Sequence, residues 1–254
     1  MYDLLIRNAQ LLDGSGQPAY SGDITVEQGR IAAIGDLSDA QAKDTIDAQG
    51  HIACPGFIDI HTHSDLTIAL DGRALSTLAQ GITTQIMGNC GVSAAPTRDH
   101  QPYYGPLDPA MTRDLTCDWT HFAEYFQRLE AQGLGTNTAT LVGHGNIRVA
   151  AMGYDDRPPT PTEMERMKEL VARAMADGAL GLSSGLAYAP GPYAALDELV
   201  ELGKIVGEYG GIYTSHIRNQ TESIAAAVGE VIAVGEQASV SAHVSHMQPG
   251  SPML

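Results

Sequence analysis

The sequence predicts an α/β fold, an incomplete (β/α)8 barrel of the TIM type with about six strands present, preceded by a small β module. Three observations carry this expectation. Residues 1–54 hold short β runs broken by turns, whereas from residue 55 the pattern becomes strand, loop, helix, repeated. The later strands are almost continuously apolar, as parallel strands buried on both faces are. Histidine and cysteine recur at the ends of those strands, the edge where barrel enzymes carry their chemistry.

In the first module, Leu4-Leu5-Ile6 forms one run. Asp23-Ile24-Thr25-Val26 and Ile31-Ala32-Ala33-Ile34-Gly35 form a hairpin about the turn Gln28-Gly29-Arg30, and Pro55-Gly56 closes the module. The barrel strands are expected at Phe57–His63, Thr83–Cys90, Thr138–His144, Leu180–Gly185, Gly211–Ile217 and Val240–His246. Phe57 and Ile58 mark the first of these as buried. A helix over about Trp119–Ala131 follows from helical spacing of Trp119, Phe122, Tyr125, Phe126 and Leu129. A second starts at Thr160 as N-cap, with Pro161 first in the helix and Glu163 completing a capping box. Gly178 closes it. A full barrel takes about 250 residues. The barrel segment, residues 55–254, is therefore expected to be truncated after its sixth strand, with the remainder of the polypeptide completing it.

The chain carries a formal net charge of −16, which disfavours nucleic acid and anionic lipid as partners. No stretch is long and apolar enough for a membrane span. Cys54, Cys90 and Cys117 are sparse and show no framework spacing, so they read as reduced thiols of a cytoplasmic protein.

His61 and His63, two residues apart on a strand, face the same way and form a metal clamp. Cys90, between Gly88 and Gly91 at the second strand end, is a zinc-ligand candidate as a thiolate. His216 ends the fifth strand. On the sixth, His243 and His246 face opposite sides, and His246, nearer the strand end, is the one expected at the barrel mouth. His144 stands at the third strand end, suited to substrate, loop or metal. None of the three lysines, Lys43, Lys168 and Lys204, lies on a strand where it could bridge two metals, so Cys90 is the best anionic anchor.

The segments Pro55–His63, Gly81-Ile82-Thr83-Thr84, Gly88-Asn89-Cys90-Gly91, Gly143–Arg148, Gly181–Leu186, Ser215-His216-Ile217-Arg218 and Val244-Ser245-His246 occur in this order. Together they resemble the N-acyl-D-amino-acid deacylase (D-aminoacylase) branch of the amidohydrolase superfamily, across its N-terminal half. The resemblance implies that Cys90, His216 and His246 hold a tight zinc, with His61 and His63 at a second, weaker metal position. It implies that Tyr188 lines the substrate pocket and that residues 1–54 are part of a split β-sandwich. It also puts the catalytic Asp on an eighth strand, beyond Leu254, so no catalytic residue is expected within the chain. Where the family has a Lys two residues after the sixth-strand histidine, this chain has Gln248. The substrate implied is an N-acyl amino acid, whose carboxylate needs a cation; Arg218 and Arg148 are the rim candidates. Two other outcomes fit the same residues: a dihydroorotase- or hydantoinase-like hydrolase of cyclic or linear amides, and a catalytically dead metal-binding relic.

Overall fold

The run Leu4-Leu5-Ile6 lies inside a longer strand, β1 (Tyr2–Leu11), in the computed structural model of the chain, which describes residues 1–248. The chain divides into two units, Met1–Phe57 and the part from Ile58 onward. In the first, β2 (Tyr20–Glu27) pairs antiparallel with β1 and with β3 (Arg30–Gly35). The expected hairpin is present: Glu27 faces Arg30 across Gln28 and Gly29, with φ of 50° and 72°. Two left-handed residues in a two-residue turn match the right-handed twist of the strands they join. β4 (Ala42–Asp47) and β5 (Ile52–Ala53) add to β1 in parallel, giving one sheet. Its side chains Ile31, Ile34 and Ile52 are exposed.

The second unit alternates strands and helices. In chain order these are β6 (Phe57–Asp59), the short helices α1 (Thr67–Leu70) and α2 (Leu75–Leu78), β7 (Ile82–Met87), α3 (Phe122–Gln132), β8 (Asn137–Thr140), β9 (Val142–Gly143) and α4 (His144–Met152). Then come α5 (Pro161–Asp177), β10 (Gly181–Gly185), α6 (Leu196–Glu208), β11 (Ile212–His216), α7 (Ile224–Ala238) and β12 (Ser241–Val244). The strands form two sheets, β6-β7-β8 and β9-β10-β11-β12 in sequential order. The β7–β8 pair and every pair from β9 to β12 are parallel. β8 and β9 are one run interrupted at Leu141, whose N–H bonds Met87 O (2.9 Å), while Thr140 O accepts from Leu180 N (2.8 Å). The six expected strands thus lie side by side in chain order, and among the described residues they do not close into a barrel.

Several strand ends differ from expectation. β6 stops at Asp59, whose carboxylate accepts the His61 N–H (3.1 Å) and turns the chain out of the sheet, so His61 and His63 follow the strand rather than sit on it. Phe57 and Ile58 are 58% and 63% exposed, not buried, because β6 is an edge strand. β7 ends at Met87, before the left-handed Gly88, and β12 ends two residues before His246.

The helices pack a single apolar core that includes Tyr125, Met167, Leu170, Leu182, Leu199 and Val234. The expected start of α5 is present: Thr160 accepts from Glu163 N, Glu163 accepts from Thr160 N (2.8 Å), and Gly178 at φ 114° closes the helix. α3 begins three residues later than expected. Glu124 takes the N–H groups of Thr120 and His121, and this fixes the start at Phe122. Trp119 stays fully buried outside the helix, its indole N–H on Ala94 O (2.8 Å). No helix among the described residues is long and apolar enough to cross a membrane.

Candidate metal centre

The loop Gly88-Asn89-Cys90-Gly91 leaves β7 with three of its four residues left-handed: Gly88 at φ 75°, Cys90 at 54° and Gly91 at 73°. Two of them are glycines, which take this conformation without penalty. Cys90 takes it at a cost of about 1–2 kcal/mol, and such strain persists only where the surroundings over-determine it. Here Tyr188 donates its hydroxyl to Cys90 O, and Gly145 N–H bonds Gly91 O (3.0 Å). The Asn89 side chain returns to Ile86 O (2.9 Å).

That backbone delivers the Cys90 thiol between two histidine pairs. Sγ lies 3.3 Å from His61 Nε2 and 3.3 Å from His246 Nε2. The three ligand atoms lie within 4.8 Å of one another. On one side, the rings of His61 and His63 are 5.4 Å apart. On the other, the rings of His216 and His246 are 4.6 Å apart, and Tyr188 packs edge-on against His216 at 5.3 Å. The Gln220 side-chain amide sits 3.1 Å from His246 Nδ1. The group facing that nitrogen is the amide Nε2, which donates to it and holds the ring in place.

The electrostatics suit a cation. Burial, then the neighbouring imidazoles His63 and His246, lowers His61 to about 4. Burial, then His246 and His63, lowers His216 to about 4. Burial also lowers His63. These rings are neutral near pH 7, each with a lone pair to give. Burial raises the Cys90 thiol to about 11, so a cation arriving here displaces its proton. The His63 Nδ1 atom is buried without a partner. A thiol and four imidazoles, one with a buried and unpartnered ring nitrogen, fit zinc, which takes sulfur and nitrogen donors.

Three expected rim residues belong elsewhere. His144 is the first residue of α4, not the last of a strand, and is fully buried. Its Nε2 bonds Glu198 Oε1 (2.7 Å), while Arg148, also fully buried, bonds Glu198 Oε2 (2.6 Å) and Arg157 O (3.0 Å). Neither faces the barrel mouth, because this internal carboxylate holds both. Arg218 is half-buried, and its guanidinium binds both oxygens of Glu230 and the carbonyls of Pro192 and Ala194. It braces a loop rather than offering a free cation.

Sequence reasoning missed three residues around the site and one in the neighbouring buried cluster. Asp65 is buried, and burial raises it to about 7 against the opposing pull of its own backbone N–H and those of Gly88 and Ala94. Ser183 and Gln220 brace the Cys90 loop and His246. Glu198 joins His144 to Arg148. The spacing of Asp65 after His61 and His63 was the one available signal; the other three act across long sequence separations.

A model of the amidohydrolase family matches residues 44–209. An N-acyl-D-glutamate deacylase of Alcaligenes xylosoxydans xylosoxydans is 42% identical over 247 residues, covering 96% of this chain and 49% of that protein. The crystal structure of N-acyl-D-glutamate deacylase from Bordetella bronchiseptica, complexed with zinc and a phosphonate inhibitor that mimics the tetrahedral intermediate, superposes with a TM-score of 0.87. It is 38% identical, and the match covers 95% of this chain and 50% of that one. A structure of D-aminoacylase, described for its binuclear metal centre, gives a TM-score of 0.91 at 33% identity, covering 97% of this chain and 52% of that one. The chain spans about half the length of the curated relatives it matches.

Proposed function

From the premise that this chain belongs to the amidohydrolase family, we propose that it forms the metal-binding half of a zinc-dependent N-acyl-D-amino-acid deacylase. The reaction is hydrolysis of the N-acyl amide to a carboxylate and a free D-amino acid. The observation that carries this reading is the Cys90 thiol wedged between two histidine pairs beyond the strand ends. In the same reading the six strands are part of a (β/α)8 barrel, and the sheet of residues 1–54 is part of a split β-sandwich.

Cys90 would be shared by two adjoining positions, with His216 and His246 completing the tighter one and His61 and His63 the weaker. The close triple of His61, Cys90 and His246 puts a member of each pair on the thiol and is compatible with that sharing. A bound zinc would polarise the amide carbonyl and bring the pKa of its water to about 7. The chain's own residues hold that chemistry in place. Cys90 supplies the anionic charge, Gln220 orients His246, and Tyr188 flanks His216 at the substrate side while tying down the Cys90 carbonyl. The proton shuttle is assigned to the Asp that the resemblance puts beyond Leu254. Arg148 and Arg218 are not proposed as the substrate-carboxylate anchor, since each is engaged within the protein.

The His216–His246 side is the pre-oriented one: Gln220 braces one ring and Tyr188 the other, whereas the His63 Nδ1 has no partner. His216→Ala is therefore expected to lose more zinc than His61→Ala, as read by elemental analysis after dialysis. Equal loss in both variants would remove the ranking.

Without the shuttle, residues 1–254 alone should turn over N-acetyl-D-methionine about 10²–10⁴-fold more slowly than a protein that carries it. Release of free amine by the zinc-loaded chain is the assay. Zinc-dependent turnover on the order of 1 per second would put the proton shuttle within these residues. In a protein carrying the shuttle, opening of a hydantoin ring with no amine release from N-acetyl-D-amino acids would overturn the substrate class.

A further inference from the structure

Cys90 is aimed by its backbone, and that backbone is fastened at both flanks by one side chain. Ser183 lies in β10, fully buried, on the strand face opposite its neighbours Leu182 and Ser184. Its hydroxyl donates to Gly88 O and accepts from Gly91 N–H (2.9 Å). These groups stand on either side of Cys90. A hydroxyl can donate and accept at once, so one Oγ closes the loop into a ring around the ligand. The other fasteners do not span Cys90: Tyr188 holds Cys90 O, Gly145 holds Gly91 O, and the Asn89 side chain reaches back to Ile86 O and Ile60 O. The loop also sits directly on β10, where a Cβ added to Gly91 would lie 2.5 Å from Gly185 N.

We propose that Ser183 is a positioning residue for the Cys90 thiolate: it sets the left-handed Gly88–Gly91 loop that points Sγ between His61 and His246, without touching the metal itself. This rests on the metal-centre reading above. Ser184 is the matched comparison. It is equally buried one residue on, and its hydroxyl bonds Tyr213 and Ser215 (2.9 Å) rather than the loop.

The test uses Co²⁺ as the probe, titrated into the native chain and into Ser183→Ala, Ser183→Thr and Ser184→Ala. The readouts are affinity and the thiolate-to-cobalt charge-transfer band. Ser183→Ala should bind about 10–100-fold more weakly, the usual effect of removing an outer-shell partner, with a displaced or weakened charge-transfer band. Ser183→Thr keeps the hydroxyl and should stay near native, and Ser184→Ala should leave affinity and band unchanged. Native-like affinity and band in Ser183→Ala, or equal losses in Ser183→Ala and Ser184→Ala, would overturn the role of Ser183 alone. Absence of Co²⁺ binding by the native chain would overturn the metal centre with it. Should Ser183→Ala not fold, amide exchange in the native chain decides. Coupling is reciprocal, so Co²⁺ must slow exchange of the Gly91 N–H; an unchanged rate would overturn the proposal.

Discussion

Cys90→Ala is expected to weaken zinc binding by at least about 100-fold, beyond the usual cost of losing an outer-shell partner. Cys90 is the one donor in the ligand cluster that can become an anion; the others are imidazoles. Its removal takes away both the thiolate and the group that lies 3.3 Å from a member of each histidine pair. Cys54→Ala and Cys117→Ala serve as controls. Cys54 is exposed in the first unit, and the Cys117 thiol faces Trp119 O. Competition against a chelator of known affinity reads the effect. Because burial holds the Cys90 thiol near 11, the native chain at pH 7 should release one more proton per zinc than Cys90→Ala does. For the same reason zinc affinity should rise with pH. Native-like zinc affinity in Cys90→Ala, or equal losses in all three cysteine variants, would remove the thiolate from the site.

The second large effect is expected outside the metal ligands, at Glu198. Its carboxylate is 3% exposed and joins His144 and Arg148, both fully buried. Glu198→Ala would strand the Arg148 guanidinium inside the protein, and breaking a buried pair by removing one partner typically costs about 3–5 kcal/mol. Burial raises the Glu198 pKa, but bonds from His144 and Arg148 outweigh that, and the net shift is downward. A carboxyl whose folded pKa is depressed stabilises the fold above its unfolded pKa and loses that contribution as pH falls through the folded value. The stability gap between the native chain and Glu198→Gln should therefore be full at neutral pH and shrink on acidification below about 4.3, the usual Glu value. Urea denaturation across pH measures both effects. A loss under about 1 kcal/mol in Glu198→Ala would mean that the cluster is dispensable.

The sequence and the structure agree where the signal is local. The β2–β3 turn follows from Gln28-Gly29, and the start and end of α5 from Thr160, Pro161, Glu163 and Gly178. Each rests on backbone groups satisfied within a few residues. The strand-end positions of His61, His63, Cys90, His216 and His246 were legible as a pattern, and the structure brings these side chains together. What was not legible depends on partners far along the chain. His144 and Arg148 look like rim residues until Glu198, 54 and 50 positions away, meets them. Phe57 and Ile58 look buried by composition, but β6 lies at a sheet edge. Ser183 carries no local signal, since its meaning lies in a loop 92 residues upstream.

The most direct measurement of the central claim is the zinc K-edge X-ray absorption spectrum of the zinc-loaded chain. A site built on Cys90 and strand-end histidines predicts a sulfur shell at about 2.3 Å beside nitrogen scatterers at about 2.0–2.1 Å. The sulfur contribution should vanish in Cys90→Ala. A native spectrum fitted by nitrogen and oxygen alone would contradict the account.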